Sequence, residues 1–375
     1  MLQRLSRMLI KEFLQMLRDP RMRLVIFGMP VIQMTIMAFA LTTDVTDIRL
    51  AVLDMDKTPA SRQLISAFTS SRYFKVSFSL SSQDDILPLL DRSEVRAVLQ
   101  IPAGFSRDIL SEKSAEIQLL TDGTDSNSTA IVLGYAGFII NDYNDIKQKE
   151  RLSRKGITTP PVQITTENRA WYNANQESRF YYVPSLIATM LFVFSLLLTS
   201  IGIVREKEIG TIEQVMVTPI RGIEFILGKT IPYMITGYVS MTFMLVVAFF
   251  LFDVHVKGSL VFLYGLTGIY LAGNMGIALI ISGSASTQQQ ALLTSFLALM
   301  PCVMLSGFMF PVSNMPDPVR YATVFNPMRW YLEILRGIVM KDVGLTTLWL
   351  PIAAQAGLSL TFLTIAIGRF KKTMS

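Results

Sequence analysis

Long apolar segments without charge alternate along this chain with segments rich in charged residues. The longest uncharged block runs from Gly258 to Pro316 and contains no Asp, Glu, Lys, Arg or His. A polar centre, residues 282–290, divides this block into two apolar halves. About 20 apolar residues cross a hydrocarbon core of roughly 30 Å, whereas buried helices of soluble proteins usually have shorter apolar runs. The pattern therefore predicts membrane-spanning helices.

The uncharged segments predict six transmembrane helices. We assign them to residues 24–41, 180–204, 225–252, 258–282, 291–310 and 343–368. The predicted fold class is a membrane α-helical protein. A channel or an ion-coupled carrier would need ionisable side chains within its spans. No ionisable side chain occurs in the apolar runs of these segments, where the third run is taken to begin at Thr230.

The charges that flank the spans predict the orientation of the chain. Residues 1–23 carry six basic and two acidic side chains, and such a segment stays in the cytoplasm. We interpret it as an amphipathic helix at the membrane surface. An even number of spans then places the tail, residues 369–375, in the cytoplasm as well. The alternative is a cleavable signal peptide ending at Ala40, but a long leader that contains acids favours an uncleaved span.

A polar insert of 138 residues, 42–179, separates the first two spans. It is large enough for one independent domain, and its 16 basic and 18 acidic residues leave it nearly neutral. The net charge of +6 is concentrated in residues 1–23, which suits contact with anionic lipid headgroups. Because the insert is nearly neutral, it is not expected to bind a nucleic acid. Short apolar strands alternate with helical patterns, which predicts an extracytoplasmic α/β domain. The strands are expected at 49–53, 73–78, 95–101 and 116–120, and the helices at 60–70, 83–91, 104–111 and 127–152.

Catalytic motifs are weak in this chain. Asp54-Met-Asp56-Lys-Thr58 matches the Asp-x-Asp-x-Thr box of phosphotransferases that use an aspartyl nucleophile and Mg²⁺. We prefer a structural interpretation, in which Asp56 or Thr58 caps the helix that begins after Pro59. The single histidine, the single cysteine Cys302 and the missing Walker loop give no metal site and no ATP site on this chain. We therefore expect no enzyme and no cofactor here.

The segment 205–224 follows the second span and reads Arg-Glu-Lys-Glu-Ile-Gly-Thr-Ile-Glu-Gln-Val-Met-Val-Thr-Pro over residues 205–219. Helical spacing places Glu206, Gly210 and Glu213 on one face, beside an apolar stripe that could enter a groove on a partner. A plain helix at the membrane surface is the other interpretation of this spacing.

This motif resembles the coupling-helix signature of type-2 ABC exporter permeases. Two later stretches also resemble that family, residues 305–316 with the fifth span and the re-entrant hairpin, and residues 325–337 with the approach to the last span. The resemblance implies that the coupling helix docks on a separate nucleotide-binding subunit. The residues implied in this contact are Glu206, Glu208, Gly210, Thr211, Glu213 and Pro219.

Prolines and small residues interrupt the apolar sequence in segment 311–342 and just before it. Broken helices at membrane depth are tolerated where protein or a cavity satisfies the freed backbone groups, so such breaks tend to line a path. The alternative is a simple external loop that begins at Pro311. The candidate pathway residues are Ser306, Gly307, Pro311, Met315, Pro316, Asn326, Pro327 and Arg336.

The resemblance implies an exporter permease of the drug-efflux type. Such a permease moves hydrophobic or amphipathic compounds outward from a bacterial inner membrane, with ATP and Mg²⁺ bound by separate ATPase subunits. The implied partners are those ATPase subunits, a second copy or a paralogue of the permease, and a periplasmic membrane-fusion adaptor. Export of a polysaccharide or lipid by the same kind of permease, and a membrane-anchored sensor that uses the insert, are the alternatives.

Overall fold

The computed structural model describes residues 2–18, 20–41, 47–111, 113–124, 126–154, 171–173, 177–210 and 222–373. The chain divides into two compact units. We call residues 1–43 together with 169–375 the membrane unit, and residues 44–168 the insert unit.

The described residues are mainly helical. The helices are α1 (Leu2–Arg18), α2 (Pro20–Arg23), α3 (Met29–Leu41), α4 (Pro59–Ser70), α5 (Ile86–Asp91), α6 (Phe105–Leu110), α7 (Ser126–Arg154), α8 (Arg179–Ile209), α9 (Gly222–Phe252), α10 (Leu260–Ser284), α11 (Gln288–Met304), α12 (Asp317–Ala322), α13 (Pro327–Lys341) and α14 (Leu345–Thr373). A π-helical segment, Leu24–Gly28, precedes α3. The strands are β1 (Ile48–Asp54), β2 (Phe74–Ser79), β3 (Ala97–Ile101) and β4 (Gln118–Thr121).

Five segments of the described chain are long and apolar enough to cross a membrane. They are Leu24–Leu41, Arg179–Ile209, Ile226–Phe252, Leu260–Ser284 and Leu345–Arg369. They coincide with five of the predicted spans. The remaining one, 291–310, is helical only as far as Met304. Residues 305–310 form turns and bends, and Gly307 has a φ of 85°, which a continuing right-handed helix excludes. A sixth crossing therefore stays a prediction.

Close contacts between helices hold the membrane unit together. A Cβ added at Gly276 of α10 would lie 2.9 Å from the backbone of Phe362 and Leu363, so the absence of a side chain lets α10 and α14 approach closely. The rings of Tyr270 and Tyr331 stack with centroids 3.9 Å apart and are fully buried between α10 and α13. Ser200 of α8 and Ser295 of α11 share a buried hydrogen bond of 2.9 Å.

The insert unit contains a four-stranded sheet in the order β2-β1-β3-β4. Strand β1 is parallel to β2 and β3, and β4 is antiparallel to β3. Leu50 and Val52 of β1 pack into one apolar cluster and Ala51 and Leu53 into another, so both faces of this strand are covered. Each strand lies within about two residues of its expected position, and so does each helix of this unit except α5, which begins three residues after its expected start at 83. The limits 42–179 and the extracytoplasmic location of this domain stay predictions.

Candidate functional site

The predicted coupling segment, 205–224, begins within the end of α8 and finishes in the first turn of α9. Helix α8 ends at Ile209, and Gly210 caps it with a left-handed φ of 79°, a conformation that favours glycine. Helix α9 begins at Gly222. Thr211, Glu213 and Pro219 fall in residues 211–221, outside the described part of the chain. We call residues 210–221 the α8–α9 loop, and the helix ends beside it its two stems.

The end of α8 is attached to the turn between α10 and α11. Glu208 is exposed, and one of its carboxylate oxygens accepts from the backbone N of Gln288 at 3.3 Å and from Nε2 of the same residue at 2.8 Å. Nζ of Lys207 donates to the carbonyl oxygen of Ala285 at 2.9 Å. The first stem is thus hydrogen-bonded to the turn that separates two other long helices.

Glu206 belongs to a buried group of charges that joins three helices. Nζ of Lys229 on α9 lies 2.6 Å from Oε1 of Glu206 on α8 and 2.7 Å from Oε1 of Glu12 on α1. These three residues are only 2%, 6% and 3% exposed. Lys11, whose side chain is half exposed, lies 3.3 Å from the same oxygen of Glu206. We call Glu12, Glu206, Lys229 and Lys11 the buried charge cluster; its two acids and two bases balance.

This placement bears on two expectations from the sequence. Glu206 was expected as a polar contact for a partner, but its carboxylate faces Lys229 and Lys11 inside the membrane unit. The apolar run from Thr230 lacks ionisable groups as expected, but the candidate span Ile226–Phe252 begins before that run and includes the buried Lys229. The signal was present in the sequence as one lysine at the start of a long uncharged helix. Such a group within a membrane is costly unless paired.

At the other end of α8, Arg336 of α13 forms a second polar site. Its Nε and Nη2 donate to Oγ of Ser185 at 2.9 and 2.7 Å, and Nη2 also donates to the carbonyl oxygen of Gly307 at 3.2 Å. The guanidinium carbon lies 3.9 Å from the centre of the Tyr181 ring, and the hydroxyl of Tyr181 donates to the same Gly307 carbonyl at 3.0 Å. We call Arg336, Ser185, Gly307 and Tyr181 the arginine site.

The structure brings four of the candidate pathway residues into one connected region. Ser306 is buried, and its Oγ accepts from the backbone N of Phe308 at 3.1 Å, so it shapes the turn that presents Gly307. Asn326 caps α13 by accepting from the N of Met328 at 3.0 Å, and its Nδ2 donates to the carbonyl of Cys302 near the end of α11. Gly307 and Arg336 are hydrogen-bonded directly, as described above.

The other four candidate pathway residues have local structural roles. Pro327 is buried at the first position of α13, which suits its missing backbone donor. Pro311 precedes a 3₁₀ turn, and the N of Met315 closes that turn on Val312 at 3.2 Å. Pro316 is exposed and precedes α12. The structure does not bring these four to the arginine site, and their pathway role stays a prediction.

The Asp-x-Asp-x-Thr box has the structural role that the sequence favoured. The side chain of Thr58 caps α4 by accepting from the N of Ser61 at 3.3 Å. Asp56 accepts from the backbone N of Gly104 at 2.8 Å and of Ser106 at 3.0 Å, which ties the end of β1 to the start of α6. The hydrogen bond from Thr58, followed by the backbone donors around Ser106, holds the pKa of Asp56 below its usual 3.8 despite an opposing effect of desolvation.

Comparison with known proteins covers almost the whole chain. The family model described as "ABC-2 family transporter protein" matches residues 20–367. The Escherichia coli K12 protein named "Probable multidrug ABC transporter permease YbhR" is 33% identical over 349 residues, 93% of each chain. "Probable multidrug ABC transporter permease YbhS" from the same organism is 28% identical, over 90% of this chain and 88% of that protein. "Inner membrane transport permease YhhJ", also from that strain, is 24% identical over 87% and 85%.

The family match includes α8, the α8–α9 loop, α9 and α13, and therefore the arginine site together with Glu206 and Lys229 of the buried charge cluster. Lys11 and Glu12 precede the matched residues. The family model matches most of the chain, and YbhR is 33% identical over 93% of each chain. The chain belongs to the ABC-2 transporter family.

Proposed function

We propose that this chain is the membrane subunit of an exporter that moves a hydrophobic or amphipathic compound out of the cytoplasm or the inner membrane. ABC-2 permeases work with ATP-binding subunits and generally as dimers. The substrate class is proposed from the printed names of YbhR and YbhS, both of which describe multidrug permeases. The energy comes from ATP hydrolysed on separate subunits, and two copies of this chain, or one copy and a paralogue, form the pathway.

The α8–α9 loop is the proposed contact with the ATP-binding subunit. Glu208, Thr211, Glu213 and Pro219 supply this contact, and Gly210 lets the chain turn sharply out of α8. Glu206 has a different role, because its buried carboxylate holds a stem and cannot reach a partner surface. The single observation that carries the proposal is the family match over residues 20–367, which includes this loop.

The arginine site is the proposed outer end of the pathway. If the α8–α9 loop lies in the cytoplasm, the first turns of α8 lie on the opposite side of the membrane, because one helix of 31 residues, about 46 Å long, joins them. The turn at Gly307 is hydrogen-bonded to α8 through Tyr181 and to α13 through Arg336. Release of this turn would open a path between α8, α11 and α13. With the sixth crossing included in the proposal, both termini lie in the cytoplasm and the chain lies in a bacterial inner membrane.

The first test is affinity purification of the chain from its native membrane, followed by reconstitution in vesicles. We expect an ATP-hydrolysing subunit to co-purify, and the vesicles to show ATP-dependent transport of an amphipathic fluorescent dye. Transport activity in vesicles that contain this chain without any ATPase subunit would refute the proposal.

The second test changes the loop itself. Glu213→Ala should lower permease-dependent ATP hydrolysis by about tenfold, or about 1.4 kcal/mol. This size of effect assigns Glu213 to the minority of interface residues whose truncation costs more than about 1 kcal/mol. The amount of inserted protein should stay at the wild-type level. Glu333→Ala is the matched control, since Glu333 is an exposed acid on α13, far along the chain from the loop. Equal ATP hydrolysis in wild type and Glu213→Ala would remove the role assigned to Glu213.

A further inference from the structure

Helices α1, α8 and α9 meet at consecutive turns around Lys229. One turn along α9 lies Tyr233, and one turn earlier on α8 than Glu206 lies Gly202. A Cβ on Gly202 would clash with the hydroxyl group of Tyr233, so the absence of a side chain at this position lets α8 and the ring on α9 approach closely. The ion pair between Glu206 and Lys229 is therefore the next layer of a tight α8–α9 contact.

The same layers join α1 to α9. A Cβ on Gly228 would clash with Sδ of Met8, and Glu12, one turn after Met8, reaches Lys229 at 2.7 Å. Met16, a further turn along, is 5% exposed and packs in one apolar cluster with Tyr233. One face of α1 thus contacts the start of α9 over three consecutive turns.

We infer that Lys229 is a positioning residue that makes α1 and the two stems of the α8–α9 loop move as one body. Its ammonium group is the common partner of one carboxylate from the first stem and one from α1. A displacement of the loop is then passed to α1 as well as to the spans α8 and α9. This inference rests on the proposed function, because it assigns the route by which a push on the loop enters the membrane unit.

The three buried charges are expected to fix which helices contact each other at Lys229, and to add little to the overall stability of the protein. Replacing a buried ion pair with uncharged groups of similar volume is often neutral for stability, whereas removing one partner alone leaves an uncompensated charge. The informative variant therefore removes all three buried charges together, as Glu12→Gln with Lys229→Met and Glu206→Gln. This triple variant should insert and retain the thermal stability of the wild type.

The test measures hydrogen–deuterium exchange of the purified permease–ATPase complex with and without ATP and vanadate. In the wild type we expect ATP to change exchange in the stems and in α1. In the triple variant the change in the stems should remain, and the change in α1 should fall by at least about fivefold, the lower limit of a typical coupling between sites. An unchanged response of α1 would overturn the inference.

A disulfide between α1 and α9 tests whether the lost response of α1 can be restored in the triple variant. The native Cys302 is the only cysteine of the chain, so Cys302→Ser gives a background without thiols. Met8→Cys with Gly228→Cys places two thiols where the Met8 side chain now meets Gly228, which removes the clash that a side chain at 228 would create. In the triple variant this bond should restore the response of α1 when oxidised, and reduction should abolish it again.

Each remaining outcome also decides the matter. Failure of the oxidised bond to restore the response would show that α1 is not driven through α9, and would overturn the inference. A wild-type complex that binds no ATPase subunit, or that shows no response to ATP in the stems, would refute the proposed function and the inference with it. A wild-type response combined with an equal response in the triple variant would refute the inference alone.

Discussion

Two basic side chains of the membrane unit, Lys229 and Arg336, are held in different ways. Lys229 contacts two buried carboxylates, at 2.6 and 2.7 Å, in the buried charge cluster. Arg336 donates to a hydroxyl and a carbonyl and lies over the ring of Tyr181 in the arginine site. The first site balances charge with charge, whereas the second leaves a net positive charge among dipoles and an aromatic face.

The difference matters for what each site can do. A site of opposite full charges loses much of its stabilisation when one member is removed, because the others stay buried and unpaired. A cation held by neutral acceptors loses only hydrogen bonds and a cation–π contact. The buried charge cluster is therefore suited to hold a fixed joint, and the arginine site is suited to release and reform.

The largest effect is expected when the charge balance at Lys229 is broken. Lys229→Met alone leaves Glu12 and Glu206 buried without the ammonium group that they share, and should cost about 3–5 kcal/mol of stability. Thermal unfolding of the full-length protein in detergent measures this loss. Lys257→Met is the matched control, because Lys257 is exposed in the connection between α9 and α10 and should change little. A loss of similar size in both variants would remove the special role of the cluster.

A smaller effect is expected at Arg336. Arg336→Met removes three hydrogen bonds from a charged donor, but Tyr181 still donates to the carbonyl of Gly307. The expected loss is about 1.5–3 kcal/mol, the range for hydrogen bonds to charged groups. Arg336→Lys keeps the charge but cannot reproduce the fork of the guanidinium, so it should recover only part of the loss. A loss at Arg336 greater than that at Lys229 would reverse the comparison.

The sequence predicts the elements of this protein better than its two polar sites. Uncharged length and strand–helix alternation are local properties, which explains why five spans and the strands of the insert unit lie where they were expected. The buried charge cluster joins residues 12, 206 and 229, and only folding brings these together. The turn after Met304 is likewise not predicted by hydropathy, because its shape depends on the φ of Gly307 and on contacts from α8 and α13.

The smallest effect is expected at Asp56, the anionic counterpart of Arg336. Its carboxylate is partly exposed and is held by the hydroxyl of Thr58 and by neutral backbone donors. Because its pKa is lowered from 3.8 in the folded state, its contribution to stability is fully present above that value and is lost as the pH falls through the lower, folded pKa. Asp56→Asn should therefore reduce stability at neutral pH and leave it nearly unchanged in strong acid.

Measuring the unfolding of the full-length protein across this pH range tests the expectation. Asp91→Asn is the control, because Asp91 is exposed at the end of α5 in the same unit. A difference between wild type and Asp56→Asn that persists below the folded pKa would mean that the shape of the carboxylate, and not its charge, joins β1 to α6. In that case the charge of Asp56 would not contribute to its contacts with neutral donors. A charge that contributes to stability would then be expected only in the buried charge cluster.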